Sequence, residues 1–332
     1  MLASLEERLH PPAHALTPAS HLGLTWRRAS VGDLAALDSL VRITEDDNAV
    51  VRRTPTDQLK SLLGEAEEAR YADGIVGIDA RGIIQAFGAV RLYREDREVA
   101  RAELFAATMP KWRGRGIGRA LLTWQDARAR QLLIDHWGAD SRLPARISNV
   151  VEAHQRDRRQ LYAAAGFTPS SLIGVYRHQL DHFSQCSCEG IRPIADVDLS
   201  VVEQLHARAS RDVGASAAQA ARWWRRVAES LDPDLSLVHD GDGGIDAYAL
   251  VCRHSTTWLA GVDADASIES YGPGLSAPVM ALLTCVMHAA HSAGLAGLST
   301  EAPVATLTDR SPELQKLGFS AIGVRMVYTI DL

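Results

Sequence analysis

The most informative stretch of the sequence is Arg113-Gly114-Arg115-Gly116-Ile117-Gly118-Arg119, which lies between a predicted strand and a predicted helix. The strand is Glu103-Leu104-Phe105-Ala106-Ala107-Thr108, and the helix continues with Ala120-Leu121-Leu122. A glycine-rich loop at a helix start presents unpaired backbone N–H groups and the positive end of the helix dipole. The glycines leave the backbone uncovered, and the interleaved arginines add charged donors. The stretch therefore predicts a site for a phosphate or pyrophosphate group.

Two common phosphate-binding loops do not fit this stretch. The dinucleotide fingerprint Gly-x-Gly-x-x-Gly fails, because Gly114, Gly116 and Gly118 are spaced two apart. The Walker loop fails as well, because no Gly-Lys-Ser or Gly-Lys-Thr follows. A glycine-rich helix start without a ligand stays open as the alternative.

The run from Thr108 to Leu122 resembles the acyl-CoA loop of the GNAT N-acetyltransferase superfamily, whose pattern is Arg/Gln-x-x-Gly-x-Gly/Ala. Arg113, Gly116 and Gly118 fill that pattern. The resemblance implies acetyl-CoA as acyl donor, no metal, and a loop whose backbone wraps the CoA pyrophosphate. The implied loop residues are Arg113, Gly114, Arg115, Gly116, Ile117, Gly118 and Arg119. It also implies that Ala106, Ala107 and Thr108 pair with the pantetheine arm as an added strand would.

Composition is that of a globular chain of about two domains. The 332 residues are 46% hydrophobic and 23% charged, with a formal net charge of −6. This balance gives no reason to expect a nucleic-acid partner or a membrane partner. Residues 1–21 hold no signal-peptide pattern and are predicted to be a flexible extension. Four cysteines predict no disulfide framework, so the cytoplasm is the expected location.

The order of motifs occurs twice, which predicts two copies of one α/β unit. Residues 74–88 and 235–249 both have the alternation and central glycine of a hairpin. Ala120-Leu121-Leu122-Thr123 is matched by Ala281-Leu282-Leu283-Thr284. By resemblance the fold class is two tandem GNAT-like domains, each a mixed, mostly antiparallel sheet flanked by helices. The predicted boundaries are 1–21 extension, 22–184 catalytic domain and 185–332 degenerate domain.

The second copy lacks the features that predict phosphate binding. Where the first copy has its arginine-rich loop, the second has residues 271–279 with no arginine. Pro278 removes one donor N–H, and Val279 is expected to block a phosphate sterically. The tandem arrangement resembles the mycothiol synthase group, in which the C-terminal copy carries the working loop. The second copy is expected to cover a sheet edge, shape the acceptor pocket or mediate dimerisation.

Three further residues are candidates for the chemistry. Tyr162 lies in Leu161-Tyr162-Ala163-Ala164-Ala165-Gly166-Phe167, which resembles a GNAT segment whose tyrosine acts as general acid, although a helix tyrosine packed on the sheet is the alternative. Glu103 is the candidate base, because a carboxylate in an apolar strand needs a use or a partner. Alternation equally allows Glu103 to turn outward or to an arginine such as Arg91. Asn149 is implied to lie near the pantetheine, although its distance from Tyr162 along the chain exceeds the usual pattern.

Other polar clusters favour ordinary roles. Glu45-Asp46-Asp47 could attract a cationic amine, but a solvated loop is preferred. Cys186 and Cys188 are expected to be idle thiols, and His288 with His291 is not expected to bind a metal. Trp223-Trp224 is expected at an interdomain or dimer contact.

The sequence thus predicts an acyl-CoA-dependent N-acyltransferase that acts on a small-molecule or peptide amine, as a monomer or homodimer. No cysteine or serine stands in a nucleophile context, so direct transfer without a covalent enzyme intermediate is expected. Two alternatives stay open: a non-catalytic acyl-CoA sensor, and a transferase for longer acyl chains in a peptide or antibiotic pathway. The identity of the amine is not contained in these motifs.

Overall fold

The computed structural model describes residues 2–63, 71–94, 96–181, 188–212, 215–253, 266–304 and 312–332. Contacts divide the chain into two compact units. Unit 1 comprises Met1–Ser170 together with Met326–Leu332, and unit 2 comprises Ser171–Arg325. The sequence-based boundary between residues 184 and 185 does not anticipate that the last seven residues belong to unit 1.

Unit 1 is a mixed, mostly antiparallel sheet flanked by helices. Its elements are α1 (Leu5–Leu9), β1 (Thr25–Arg28), α2 (Leu34–Asp47), α3 (Thr56–Leu63), β2 (Ala72–Ile78), β3 (Ile84–Leu92), β4 (Ala100–Thr108), α4 (Ile117–Trp137), β5 (Ala145–Glu152), α5 (Arg156–Ala164) and the start of β6 (Thr168–Gln179). Strands β1 to β4 pair antiparallel in chain order, and β4 pairs parallel with β5. The end of β12 (Ser320–Asp331) also belongs to unit 1, where Leu332 and Ala145 exchange backbone hydrogen bonds.

Helices α2 and α3 cover one part of the unit 1 sheet through an apolar cluster that includes Leu37, Leu40, Leu59 and Phe87. Helix α4 approaches β3 closely at Gly88, where an added Cβ would lie 2.8 Å from Leu121. A side chain at position 88 would force the Leu121 side chain to shift, because this contact is shorter than normal van der Waals separation. The position of α4 matters because its first turn follows the glycine loop.

The N-terminal segment is packed against unit 1, which differs from the expected flexible extension. Ser4 and Glu7 form a capping box at the start of α1, and Leu5 and Leu9 are fully buried. The Arg130 guanidinium donates to the carbonyl oxygen of Leu9 at 2.7 Å. Burial of the two leucines and these hydrogen bonds hold α1 in place. The spacing of Leu5 and Leu9, four residues apart, puts both on one face of a helix and could have been read from the sequence.

Unit 2 repeats the strand order of unit 1. Its elements are the rest of β6, β7 (Ile191–Pro193), α6 (Leu199–Asp212), α7 (Ala217–Val227), β8 (Leu237–Gly241), β9 (Gly244–Cys252), β10 (Ala266–Gly272), α8 (Ala277–Ser292), β11 (Gly297–Val304), α9 (Pro312–Lys316) and the start of β12. Strands β7 to β10 pair antiparallel in chain order, β10 pairs parallel with β11, and β11 pairs antiparallel with β6. The predicted duplication and the fold class are therefore confirmed.

Unit 2 contains a disulfide between Cys188 and Cys285, which corrects the expectation of an idle thiol at Cys188. Cys188 lies just before β7 and Cys285 is buried in α8. A pairing across a sequence separation of 97 residues requires the folded topology, so spacing did not reveal it. Cys186 lies outside the described residues. Because disulfides persist mainly in oxidising surroundings, this pair removes the support that the cysteine count lent to a cytoplasmic location.

The tryptophan and histidine motifs of the second copy lie in or beside the core of unit 2. Trp224 is buried in the core of unit 2. It is therefore a core residue of that unit and does not lie at the interdomain or dimer contact expected from the sequence. His291 bonds the Leu180 carbonyl oxygen through Nδ1 at 2.7 Å. Among the described residues, no three His, Cys, Asp or Glu side chains group as metal ligands would. In the same part of the chain, no helix combines the length and apolar character needed to cross a bilayer.

Candidate functional site

The glycine loop joins β4 to α4 in the order that the sequence predicts. Residues 110–112 form a single 3₁₀ turn with Pro110 at its start, and α4 begins at Ile117. Gly116 is the N-cap in a left-handed conformation, with no side-chain hydrogen bond to the first turn. The N–H groups of the first turn of α4 therefore have no side-chain cap, and the loop residues 113–116 are exposed.

Two of the three loop glycines are required by backbone conformation. Gly114 has φ +75° and Gly116 has φ +87°, a region that side chains with a Cβ rarely adopt. An added Cβ would meet no protein atom within 4 Å at Gly114, and only Leu22, at 3.7 Å, at Gly116. Gly118 is helical, and its Cβ would lie 3.4 Å from Leu161 of α5. The open space above Gly114 and Gly116 therefore fits an anion on the backbone, whereas Gly118 serves the contact between α4 and α5.

The loop arginines have different environments. Arg113 donates through Nε to the Thr108 carbonyl oxygen at 3.2 Å and pairs through Nη1 with Asp47 at 2.6 Å. The Arg115 guanidinium lies 4.5 Å from the centre of the Trp112 ring. Arg119 is exposed in the first turn of α4. These residues give the exposed loop three positive charges beside the helix N-terminus, of which Arg113 is already paired.

Strands β4 and β5 separate directly in front of the loop. Their parallel register ends at Glu103 and Ser148, although β4 continues to Thr108 and β5 to Glu152. Asn149, the next residue on β5, is buried and donates through Nδ2 to the Leu104 carbonyl oxygen at 2.5 Å. Its Oδ1 is buried and has no hydrogen-bond partner among the described residues. The strand ends thus leave backbone groups and one side-chain acceptor outside the regular ladder.

Ala106, Ala107 and Thr108 lie on β4 beyond the end of this register. Ala107 is buried against the apolar cluster under α2 and α3, whereas Ala106 and Thr108 are partly exposed. On an extended strand, alternate residues share one face, so Ala106 and Thr108 are the pair with accessible surface. The pairing of this segment with a pantetheine arm stays a prediction.

Gln125 fixes α4 to the strands that frame the site, and sequence reasoning missed it. Its buried Nε2 donates to the carbonyl oxygens of Ala89 on β3 and Phe105 on β4, at 2.9 and 2.7 Å. A glutamine on the apolar face of a predicted helix was the available indication, because buried polar groups need partners.

Tyr162 lies on α5 with its ring buried. It makes an edge contact with Phe167 at 5.3 Å between ring centres and lies 6.0 Å from Tyr328. Burial raises the pKa of Tyr162, and the neighbouring Arg158 acts in the opposite direction. The hydroxyl therefore keeps its proton at neutral pH, as a general acid must. A helix tyrosine that only packs on the sheet would be buried in the same way, so the role of Tyr162 as general acid stays a prediction.

Glu103 is held by two donors on β3 and the residues that follow it. Its Oε2 accepts from Arg91 Nη2 and from the Tyr93 hydroxyl, each at 2.6 Å. Arg91 also donates to Ser61 Oγ at 2.9 Å. Burial lowers the pKa of Arg91, but the charge of Glu103 and the Tyr93 contact outweigh it and raise the pKa above its usual range. This is the pairing with Arg91 that the sequence left open, and it engages one of the two carboxylate oxygens of Glu103.

The acidic triplet forms the last turn of α2, which corrects the expectation of a solvated loop. Glu45 is buried and its Oε1 accepts from the Thr54 N–H at 2.8 Å. Asp46 pairs with Arg53, and Asp47 pairs with Arg113 of the glycine loop. Burial raises the pKa of Glu45. The triplet thus links α2 to the segments packed against it. The sequence pattern could not indicate these partners, because only the fold brings them close to the triplet.

The corresponding loop of unit 2 has a different construction. It contains a cis peptide bond between Gly272 and Pro273, and Pro278 lies in the first turn of α8. Val279 is fully buried in the core of unit 2, so it does not act as the steric block expected from the sequence. Leu314 precedes Gly318-Phe319 by four residues, as Tyr162 precedes Gly166-Phe167, and it is also fully buried in this core. The missing arginines and the missing Pro278 N–H still distinguish this loop from that of unit 1.

A buried polar network lies in unit 2 and was not anticipated. His206 Nδ1 lies 3.1 Å from the Tyr248 hydroxyl and 3.2 Å from Ser270 Oγ, and its Nε2 lies 3.2 Å from Ser210 Oγ. The imidazole stacks on Trp223 with 4.3 Å between ring centres. Burial lowers the pKa of His206 to about 4, so the imidazole is neutral at physiological pH.

Comparison with known proteins identifies the fold of this site. Residues 71–169 match the family model of the acetyltransferase (GNAT) domain. This region contains β4, the glycine loop, α4 and α5. A search of curated proteins finds no significant match to the sequence.

Solved structures extend the likeness to the whole chain. A GCN5-related N-acetyltransferase from Sphaerobacter thermophilus has a TM-score of 0.68 at 15% identity, covering 92% of this chain and 95% of that chain. A tandem GNAT protein from the clavulanic acid biosynthesis pathway has a TM-score of 0.61 at 17% identity, covering 93% and 98%. Saccharomyces cerevisiae N-myristoyltransferase with bound myristoyl-CoA has a TM-score of 0.55 at 13% identity, covering 98% and 83%. The chain therefore has the tandem GNAT fold, and residues 71–169 match the GNAT domain model.

Proposed function

We propose that this tandem GNAT protein is an N-acyltransferase whose working site lies in unit 1. The reaction moves an acyl group, most simply acetyl, from acyl-CoA to the nitrogen of a primary amine. The observation that carries the proposal is the exposed, arginine-bearing glycine loop of residues 113–116 at the uncapped start of α4. The GNAT domain match over residues 71–169 supports it.

The residues of unit 1 fit an acyl-CoA molecule. The first-turn N–H groups of α4 and the exposed arginines Arg115 and Arg119 suit a pyrophosphate, because helix N-termini and guanidinium groups both favour anions. Asp47 neutralises part of Arg113, so we expect Arg113 to exchange this partner when a phosphate binds. The orphan Oδ1 of Asn149 suits an amide N–H of the pantetheine arm. Acyl-CoA supplies an acyl group activated as a thioester.

Tyr162 and Glu103 are the proposed acid and base. The amine nitrogen bonds to the acyl carbon, the bond from that carbon to the CoA sulfur breaks, and the Tyr162 hydroxyl donates its proton to the departing thiolate. One proton of the ammonium passes to the Glu103 carboxylate before attack, in competition with the two hydrogen bonds that its Oε2 accepts from Arg91 and Tyr93. The nitrogen of the adduct loses its second proton to solvent as the amide forms. Glu103 then releases its proton to solvent and Tyr162 regains one, so the enzyme returns to its starting state with one proton released overall. No step requires a covalent acyl-enzyme.

The proposed domain roles follow from the difference between the loops. Residues 22–184 would carry the catalysis, and residues 185–332 would be a degenerate GNAT-like partner without acyl-CoA binding. The acceptor remains an amine of a small molecule or peptide, and the chain length of the acyl group is open. Competition by CoA thioesters of increasing acyl length would distinguish an acetyl from a longer-chain transferase.

Calorimetric titration with acetyl-CoA tests the proposal directly. We expect one site per chain in the wild type and loss of binding in Gly116→Val, because a branched Cβ is strained at φ +87° and covers the loop backbone. Gly82→Val is the matched control: Gly82 has φ +80°, an added Cβ would meet nothing within 4 Å, and the residue lies in the β2–β3 turn. The control should cost similar stability and keep the binding site. Two sites per chain would overturn the assignment to unit 1 alone, and no binding would overturn the acyl-CoA reading.

A further inference from the structure

The N-terminal segment reaches the glycine loop of unit 1. Residues 20–22 form a single 3₁₀ turn that ends at Gly23. Leu22 Cδ2 lies 3.7 Å from the place of an added Cβ on Gly116, and the Trp112 ring lies 3.2 Å from that of an added Cβ on Gly23. Two residues that precede the matched GNAT region, 71–169, therefore border the loop and the turn before it.

This 3₁₀ turn is held on both sides. Before it, the buried Leu9 anchors α1, and Gln131 of α4 donates through Nε2 to the Pro12 carbonyl oxygen at 2.8 Å. After it, Leu24 is buried, and its Cδ1 lies 2.9 Å from the place of an added Cβ on Gly77 of β2. The turn is therefore a fixed part of unit 1 beside the glycine loop.

Trp112 links this turn to a loop arginine. The ring is partly buried, and the guanidinium carbon of Arg115 lies 4.5 Å from its centre. Arg115 Nη2 also donates to the Lys111 carbonyl oxygen, over a long 3.4 Å. Among the described residues no carboxylate pairs with Arg115, in contrast to Arg113, which has an acidic partner. The Trp112 ring is consequently the main contact that orders the Arg115 guanidinium.

Glycine at position 23 allows the ring to lie where it does. Gly23 has φ +85°, so any other residue would be strained there. A Cβ at 3.2 Å from the ring would also press on Trp112, because ordinary carbon contacts are longer. Gly23 thus supports Trp112, and Trp112 in turn supports Arg115.

Ordering of Arg115 matters for anion binding. A long exposed side chain loses rotamer freedom when it binds a ligand, and this loss weakens the affinity. A guanidinium that already lies on an aromatic ring loses less of that freedom. We propose that Trp112, packed on Gly23, is a positioning residue that holds Arg115 ready for the pyrophosphate of acyl-CoA, an inference that rests on the proposed function of unit 1.

Calorimetric titration of the full chain with acetyl-CoA tests the role of Trp112. Trp112→Leu should weaken binding about two- to fivefold, the effect expected for an exposed cation–π contact, and Trp112→Phe should restore most of the affinity. Trp137→Leu, at a partly buried tryptophan that ends α4, is the matched control and should leave the affinity unchanged. Unchanged affinity in folded Trp112→Leu would refute the proposal.

A double-mutant cycle separates positioning from a general loss of structure. If Trp112 acts through Arg115, then Trp112→Leu should cost no further affinity in a protein that already has Arg115→Gln. The full effect of Trp112→Leu in that background would show that the ring does not act through Arg115, and would overturn the proposal.

A second variant tests the support from the N-terminal segment. Gly23→Ala displaces the ring without removing it, so it should weaken acetyl-CoA to a similar degree as Trp112→Leu. Gly82→Ala is its control, because Gly82 has a similar φ of +80° and an added Cβ there meets nothing within 4 Å. Unchanged affinity in folded Gly23→Ala would refute the contribution of this segment.

Titration with inorganic pyrophosphate distinguishes failure of this inference from failure of the proposed function. Pyrophosphate binding with the same coupling between positions 112 and 115, but without acetyl-CoA binding, would overturn the proposed function and retain the support of Arg115. Acetyl-CoA binding without the coupling would retain the proposed function and overturn the role of Trp112. Absence of binding by both probes would overturn both.

Discussion

The buried imidazole of His206 makes the stability of unit 2 depend on pH. His206 is 5% exposed, stacks on Trp223 and has hydroxyl groups at both ring nitrogens. Burial lowers its pKa from 6.5 to about 4. The folded unit therefore holds a neutral imidazole at a pH where the unfolded chain is already protonated.

The sign and size of the effect follow from this difference. Below pH 6.5 the unfolded state binds a proton that the folded state does not, so stability falls as the pH is lowered towards 4 and is level above about 7.5. At ~1.4 kcal/mol per pKa unit, the loss is about 2 kcal/mol at pH 5 and approaches about 3 kcal/mol at pH 4. Ser210, Tyr248, Ser270 and Trp223 are the neighbours of the ring, and none carries a charge that would stabilise an imidazolium.

Urea unfolding at pH 5.0 and 7.5 measures the effect, with hydrogen exchange of peptides from α6 and α7 as the readout local to unit 2. His206→Gln keeps a donor and an acceptor but cannot be protonated, so it should remove about 2 kcal/mol of the difference between the two pH values. His21→Gln, at an exposed histidine of unit 1, is the control and should leave the difference unchanged. If His206→Gln retains the wild-type pH dependence in the α6 and α7 peptides, the burial argument is wrong.

Four substitutions examine three other features of the protein. Tyr162→Phe should keep acetyl-CoA affinity and lower kcat about 10²-fold or more, because the thiolate loses its proton donor. Turnover equal to that of the wild type would show that Tyr162 takes no part in the chemistry. A wild type that binds acetyl-CoA but acylates no amine would favour the non-catalytic sensor. Glu103→Gln should lower kcat by a similar factor while Tyr93→Phe, which removes one donor from Oε2, retains activity; a loss of stability with kcat within threefold would mean that Glu103 serves only as the partner of Arg91. Cys188→Ser should lower the unfolding free energy of the oxidised protein by up to about 4–5 kcal/mol, as expected for opening a loop of this length. A reductant should lower the stability of the wild type to that of the variant. If the oxidised wild type is no more stable than the variant, the pairing is wrong.

The sequence predicted what local rules control. The order strand, turn, glycine loop and helix from Glu103 to Leu122 depends on neighbouring residues, and the structure has it. The hairpins at residues 74–88 and 235–249 follow from alternation and appear as β2–β3 and β8–β9. These features required no knowledge of the tertiary arrangement.

Features that depend on distant partners were beyond the sequence. The bond from Glu45 to Thr54, the pairing of Asp47 with Arg113 and the disulfide of Cys188 each join residues that only the fold brings together. The same is true of a surface cavity in unit 1, because its lining joins residues 13–17 to β1, β2 and α4. Glu103 is intermediate: alternation allowed the contact with Arg91, but only the register between β3 and β4 places the two side by side.

The two units provide an internal comparison that separates fold from function. In both, the strand before the loop parts from its parallel neighbour: the register ends at Glu103 and Ser148 in unit 1, and at Ile268 and Thr300 in unit 2. The separation of the strands is therefore a property of the fold, and by itself it is no evidence for acyl-CoA. The helix start without a side-chain cap is also shared, because Ser276 at the start of α8 makes no such hydrogen bond, and the unit 2 loop likewise has a positive-φ glycine, Gly274. What distinguishes unit 1 is the set of loop arginines and a first turn without proline, where unit 2 has Pro278 in the first turn of α8. The argument for acyl-CoA binding consequently depends on residues 113–119, and variants of Gly116 test it more sharply than any change in the strands.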